Sequence, residues 1–482
     1  MSVEMIEDKL RELAPVAGLL DPQAAERQAL TAEVIAYAER FLEALPDLPT
    51  YRDMPDPGAG IEAHGPTEEP ESIAALLKLI ETHVDTAGLN PASGGHMGYI
   101  PGGGWYPGAL GDYLAAVTNR FSGLFFTGPG AVRLENGLID WIKELLGCPL
   151  DAAGTLTSGG SAANLAGIVA ARDALSSKDF DRAVVYVTDQ SHESVFRALR
   201  VAGMREAPVR RVAVDEYVRM DPASLVRQIE QDRAAGLQPW LLVASAGTTN
   251  TGVVDPLEAL ADVAAEHKLW YHIDAAYGGF FMLCDHGREV LRGIGRGDSI
   301  VLDPHKGLFL SYGCGCIIVR DGRKLYDAHH GAAEYLKDFD STAAQRSPSD
   351  YSIELSRHFR GLRLWLPLKL FGLKPFRAAL EEKLWLARWF HERIAQVDGF
   401  ECLGYPELSV ATYRFIPRHG SPNDFNRRLI KAIQQDGSVF LSSTTVDGEV
   451  YLRMCALCFR THLDYVRRAF DLVVKKTQEL TS

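Results

Sequence analysis

Three shortages in this sequence narrow what it can be. There is no apolar run long enough to cross a membrane, and the stretch from Met1 to Leu20 mixes acidic with apolar residues, without the basic-then-apolar order of a signal peptide. Positive charge is in deficit: 50 Lys and Arg stand against 63 Asp and Glu, for a formal charge of −13. Such a surface repels phosphate backbones and anionic lipid heads, which argues against nucleic acid and membranes as partners; with neither a signal-peptide pattern nor a spanning run, the cytoplasm is the expected compartment. Cysteine is scarce, seven in 482 residues, too few and too scattered for a disulfide framework. The pairs Cys314 with Cys316 and Cys455 with Cys458 lie in apolar, strand-like stretches with no histidine at ligand spacing, so they read as buried free thiols and no metal site is expected.

What is present is enough apolar material, 46% of the chain, for more than one ordinary core. Residues 1–90 read as a helical segment: Leu30, Val34, Tyr37, Phe41 and Leu45 make one apolar face that Pro46 ends, a Pro- and Gly-rich linker follows near Met54 to Pro66, and a second helix is expected from Ser72 to Ala87. Such helices have little to bury alone and are expected to clasp another surface.

Residues 91–370 form the expected large domain. Short runs of Val, Ile and Leu (Ala183 to Val187, Trp240 to Ser245, Leu269 to Ile273, Ser299 to Leu302) alternate with helical stretches, which predicts an α/β fold with a mostly parallel sheet covered by helices. Residues 371–482 read as a small α+β domain. Leading into it is a helical region from Arg357 to Val397, broken near Gly372 to Pro375. Strands are expected at Leu408 to Ile416, Val439 to Thr445 and, after an Asp447-Gly448 turn, Val450 to Leu457.

Ligands of such sheets bind beyond the carboxyl ends of strands, so the polar residues just after each run carry the functional signal. The turn Thr157-Ser-Gly-Gly-Ser161 opens a helix, where small residues and the helix N-terminus suit a phosphate. His192, Thr248 and Thr249, Asp274, and finally Lys306 each follow another run. A lysine there can form an imine with an aldehyde. A carboxylate can hold a pyridine nitrogen protonated, and an imidazole can stack on the ring. Each feature alone is common in proteins; their order, one per strand end, is not.

These residues, with Tyr99-Ile-Pro101, Trp105-Tyr-Pro107, His272-Ile-Asp-Ala-Ala-Tyr277, Asp303-Pro-His-Lys306 and Leu452-Arg-Met-Cys-Ala-Leu457, give a chain that closely resembles the pyridoxal phosphate (PLP) dependent group II amino-acid decarboxylases over nearly its whole length. The resemblance implies a fold type I, aspartate aminotransferase-like enzyme of amino-acid metabolism, a carboxy-lyase releasing an amine and CO2. It also implies a homodimer with shared active sites. Carried over by position, Lys306 is the imine lysine, Asp274 the pyridinium partner and His192 the stacking residue. Ser158, Gly159, Gly160 and Ser161 match the phosphate turn. Thr249, Ala276, Asp303 and His305 complete the cofactor set. His305, Tyr99 and Phe121 are the implied substrate contacts. Tyr335, in Tyr335-Leu-Lys337 on a polar stretch, matches a catalytic lid tyrosine and favours decarboxylation over aldehyde formation.

Asp303 departs from relatives that carry Asn there, which adds a negative charge near the phosphate, and Pro91 and Gly123 replace aromatic residues of the aromatic-substrate enzymes. An aromatic substrate is the expectation; an acidic one would require a further cation, with Arg120, Arg360 and Arg453 as candidates. The rival readings are a PLP-dependent aldehyde synthase or aminotransferase and, from another class, a PLP-free scaffold, against which the retained cofactor positions argue.

Overall fold

The apolar runs become strands buried on both faces, and their ends converge on one edge. In the computed structural model, residues 2–331 and 346–481 are described, and the chain divides into two units, Met1–Asn90 and Pro91–Ser482.

In the first unit, helices Val3–Ala17 and Ala24–Ala44 precede a two-residue antiparallel ladder between β1 (Tyr51–Arg52) and β2 (Gly88–Leu89). The helix expected from Ser72 to Ala87 starts at Ile73, with Ser72 Oγ accepting from Ala75 N, but after Leu79 it widens into a π-helical stretch, Ile80–Asp85. The Tyr37 hydroxyl bonds the Asp85 carboxylate at the end of that stretch. None of the three α-helices has a fully buried side chain.

The second unit is built on seven strands: β3 (Ala153–Thr157), β4 (Ala183–Val187), β5 (Val209–Arg211), β6 (Gln238–Ser245), β7 (Trp270–Asp274), β8 (Ser299–Leu302) and β9 (Gly315–Val319). Their order is β3-β9-β8-β7-β6-β4-β5. Along β4, Val184 and Tyr186 enter one core while Ala183, Val185 and Val187 enter another, so both faces are covered, and this explains the unbroken apolar run. The sheet is parallel from β8 to β5, but β9 is antiparallel to both neighbours. The connection from β8 to β9 holds only the helical turn Pro304–Gly307, too short to carry the chain back along the sheet, and so the strand reverses. Two antiparallel steps restore direction. The carboxyl end of β3 therefore lies on the same edge as those of β8, β7, β6 and β4.

Beyond the sheet, helices Gly361–Phe371 and Leu373–Ile394 break at Gly372, whose φ is +67°. A four-stranded antiparallel sheet follows, β10 (Phe400–Cys402), β11 (Val410–Phe415), β12 (Ser442–Val446) and β13 (Glu449–Cys455), ordered β10-β11-β13-β12. Asp447 and Gly448 both have positive φ, +50° and +78°, as the two-residue turn of a twisted hairpin requires. The strand expected from Val439 begins only at Ser442. Phe440 instead exchanges hydrogen bonds with the loop before Tyr99, donating to Gly95 O at 2.9 Å and accepting from Met97 N at 2.9 Å.

Candidate active site

A cavity of about 260 Å³ opens at the shared edge, close to the range usual for small-ligand sites, about 300–1,000 Å³. Every cofactor residue implied by sequence lines it: Ser158, Gly159, Gly160, Ser161, His192, Thr249, Asp274, Ala276, Asp303, His305 and Lys306. Asn164, Ser194, Thr248 and Tyr277 join them. Tyr99 and Phe121 are not among its lining residues: Tyr99 is 57% exposed, and Phe121 is half-buried. Tyr335 lies outside the described residues.

The turn after β3 works because it has no side chains where the chain bends. Gly159 has φ +152° with ψ 176°, a backbone state open essentially to glycine alone. A Cβ on Gly160 would sit 2.8 Å from Asp303 Oδ2 and 3.2 Å from Ala276 Cβ. Helix Gly160–Asp173 starts there, aiming its free amides at the same space.

Behind the cavity, one hydrogen-bonded chain fixes the orientation of its polar groups. Trp270 Nε1 donates to Ser299 Oγ at 2.8 Å, and Ser299 Oγ lies 2.7 Å from His272 Nδ1. His272 Nε2 lies 2.8 Å from Asn164 Oδ1, which can only accept, so the imidazole proton is on Nε2. Burial pulls His272 down to about 4, keeping it neutral. Asn164 Nδ2 then donates to Asp274 Oδ2 at 3.1 Å and to Ser194 Oγ at 2.8 Å. Ser194 is also 2.7 Å from His192 Nδ1, which accepts from Ser194 N at 3.2 Å. This assigns the His192 proton to Nε2. Asp274 Oδ1 accepts from Ala276 N at 3.2 Å.

At the other end of the cavity, Lys306 Nζ lies 3.0 Å from Asp303 Oδ2, and His305 Nε2 lies 3.6 Å from the same oxygen. Burial alone would lower Lys306, but the Asp303 and Asp274 carboxylates outweigh it and the net shift is upward. His305 goes the other way: burial lowers it despite Asp303. Its Nδ1 is 2.6 Å from Cys314 O and so carries the proton that makes this bond. Asn164 and Ser194 were not singled out from the sequence: the partners of Asn164 are distant along the chain, its only local hint being a polar amide in an otherwise small and apolar helix, and Ser194, although two residues from His192, reads as an ordinary serine in the first turn of a helix.

A family model for the pyridoxal-dependent decarboxylase conserved domain matches residues 62–416. The chain belongs to the pyridoxal-dependent decarboxylase family. This decarboxylase is 37% identical to an aromatic-L-amino-acid decarboxylase of Bacillus atrophaeus, over 76% of this chain and 77% of that one. It is 30% identical to a phenylacetaldehyde synthase of Petunia hybrida, over 84% and 85%. Among solved structures it is similar to that of an Oryza sativa TDC with PLP and tryptamine, with a TM-score of 0.89, 26% identity, and coverage of 96% and 99%. It is a PLP-dependent amino-acid decarboxylase. The residues present fit that cofactor: the Gly159–Gly160 cradle has room that a Cβ would fill, an anion and an amine stand on adjacent strand ends, and Asp303 Oδ1 is a buried acceptor with no hydrogen-bond partner among the described residues.

Proposed function

We propose that the cavity holds PLP through Lys306, with Asp274 at the ring nitrogen, His192 on the ring face and the Ser158–Ser161 turn on the phosphate, and that the substrate is an aromatic L-amino acid. The observation that carries this reading is the meeting of Lys306, Asp274 and His192 in one cavity from three separate strand ends. Bound PLP supplies an electron sink for the pair left when carbon dioxide departs. Asp274, held by Asn164 and Ala276 N, presents a fixed negative charge to a ring cation. His192 keeps a proton on Nε2, where it can serve as a donor, and Tyr335 is the second candidate donor. His305, fixed by its Nδ1 donating to Cys314 O, is the residue that the resemblance sets beside the substrate carboxylate.

The aromatic preference is supported by the candidate cations for an acidic side chain. No arginine lines the cavity among the described residues. Arg360 is neutralised by two 2.8 Å bonds to Glu354, and Arg120 is exposed. Arg453 spends its donors on neutral oxygens. Similarity to an aromatic-L-amino-acid decarboxylase points the same way. Similarity to a phenylacetaldehyde synthase makes aldehyde formation the second reading.

The active form proposed is a homodimer with shared active sites, because helix Val3–Ala17 exposes Val3, Ile6, Leu10 and Leu13 along one face. A cytoplasmic location accords with seven free cysteines and with the absence, among the described residues, of any helix long and apolar enough to cross a membrane. The test is incubation with PLP and each L-amino acid, reading amine and CO2 by mass spectrometry and ammonia with peroxide in parallel. Amine from aromatic substrates is expected; ammonia and peroxide would transfer the assignment to the aldehyde reading, and silence across the panel would end it. Borohydride reduction with peptide mapping should mark Lys306.

A further inference from the structure

Arg453, on β13, is 3% exposed, and among the described residues it has no carboxylate within ion-pair distance. A guanidinium buried without a counter-charge is expensive, and its retention calls for a use that a neutral side chain could not fill. All of its hydrogen bonds go to neutral oxygens. Nε donates to Asn250 O at 2.8 Å and Nη1 to Ser442 Oγ at 2.7 Å, while Nη2 donates to both Tyr99 O at 3.0 Å and Thr249 O at 2.5 Å.

Three of those acceptors are backbone oxygens of two irregular loops, and the fourth, Ser442 Oγ, stands at the start of β12. One loop is the turn after β6, where Thr249 lines the cavity and Asn250 Nδ2 donates to Gln190 Oε1 at 3.1 Å, just before His192. The other carries Tyr99, whose φ of +53° is strained for a bulky residue. That conformation persists because both backbone polar groups are tied: Tyr99 N donates to Ser442 Oγ at 3.3 Å, and Tyr99 O accepts from Arg453. The Tyr99 ring is then supported by Phe440, 5.8 Å away between centroids.

We propose that Arg453 is a positioning residue that locks the strained Tyr99 loop and the Thr249–Asn250 turn into one fixed relation, so that the cofactor face and the substrate-side aromatic are set together. Lysine keeps the charge but cannot reach four oxygens in a planar fork, so it cannot hold both loops. Ser442, which bonds both Arg453 and Tyr99 N, is an auxiliary on the Tyr99 side only. The inference rests on the reading of Tyr99 as a substrate contact.

The test uses full-length PLP-loaded protein with Arg453→Lys, Ser442→Ala and the double variant, assayed on L-phenylalanine, L-tyrosine and L-tryptophan. Arg453→Lys is expected to change the visible circular dichroism of bound PLP and to raise KM about tenfold or more, with a smaller fall in kcat. Ser442→Ala should raise KM severalfold and leave the dichroism nearly as it was. The double variant should lose less in kcat/KM than the product of the two singles. A folded Arg453→Lys protein that moves only one of the two signals, or multiplicative losses, overturns the coupling. Should Arg453→Lys be insoluble, an unchanged KM in Ser442→Ala overturns it. Wild-type protein inert on all three amino acids strikes instead at the substrate reading, and the dichroism change still reports on the cofactor half of the lock.

Discussion

The sheet edge around Lys306 and the loop around Tyr99 differ in how they are held. At the edge, Asp274 is oriented by Asn164 and His192 by Ser194, both on helices packed in the same unit. The loop has Gly94, Gly95, Gly98, Gly102, Gly103 and Gly104, forms no ladder beyond a single bridge at His96, and is steadied by Ser442, Phe440 and Arg453 from outside. Side chains on a packed sheet inherit its rigidity, whereas a glycine-rich loop has to be braced. The cofactor chemistry is therefore expected to depend on the edge, and discrimination among substrates on the loop.

Substitutions can break that division. Lys306→Ala should abolish borohydride-stable cofactor and lower kcat by on the order of 10³-fold or more, read by CO2 release and visible absorbance. Asp274→Asn keeps the shape but removes the charge and should cost on the order of 10²-fold or more in kcat with KM little changed. Asn164→Ala leaves Asp274 and His192 unaligned and should lower kcat by tens of fold. Tyr99→Ala should act mainly on KM, by severalfold to tenfold; an equal fall in kcat would mean that the loop shares in the chemistry and that the contrast is false.

Asp303→Asn sharpens the edge side. Asp303 is a main reason the Lys306 ammonium is held above its ordinary range, so its removal should raise the fraction of neutral amine at any given pH. The pH profile of PLP capture by cofactor-free protein should move to lower pH, with a rate at pH 7 increased a few fold. An unmoved profile would detach Asp303 from the lysine.

The smallest effect is on stability. Burial holds His96, within the loop, and His272, behind the edge, down to about 4. Below the unfolded value of about 6.5 the unfolded chain binds more protons than the folded one, so stability present above that pH is lost as pH falls toward 4, by up to about 3 kcal/mol per histidine. Asp255, raised to about 6 by burial, opposes this, because its folded form binds the extra proton between about 4 and 6. Thermal unfolding from pH 7 to 4.5 should show a net fall in midpoint, and His96→Phe should recover part of it.

Much of the edge was legible because a strand buried on both faces has to be an unbroken apolar run, so Val187, Ser245 and Leu302 mark where polar residues emerge. Lys306 and Asp274 followed from those ends. Asn164 was not legible: it meets Asp274 across 110 positions, and an amide inside a helix carries no local sign of its partner. Arg453 could be named but not located, since its acceptors are backbone oxygens of Tyr99, Thr249 and Asn250 that only tertiary packing brings together. The reversal of β9 escaped because apolar content does not record direction. Val439 to Leu441 were expected in a strand, yet Phe440 spends its backbone bonds on the loop at Gly95 and Met97.

The reversed strand also works as a gauge. By lying between β3 and β8 it holds those two strands about 9.5 Å apart at the backbone, so the turn after β3 and the lysine after β8 face each other across one strand's width. Its first residue, Gly315, would press a Cβ to within 2.6 Å of the Gly159 backbone, so anything larger lifts the turn off its seat. The width of the cleft at this point is thus set by main-chain dimensions, and Gly315 is the position where one added carbon would alter it.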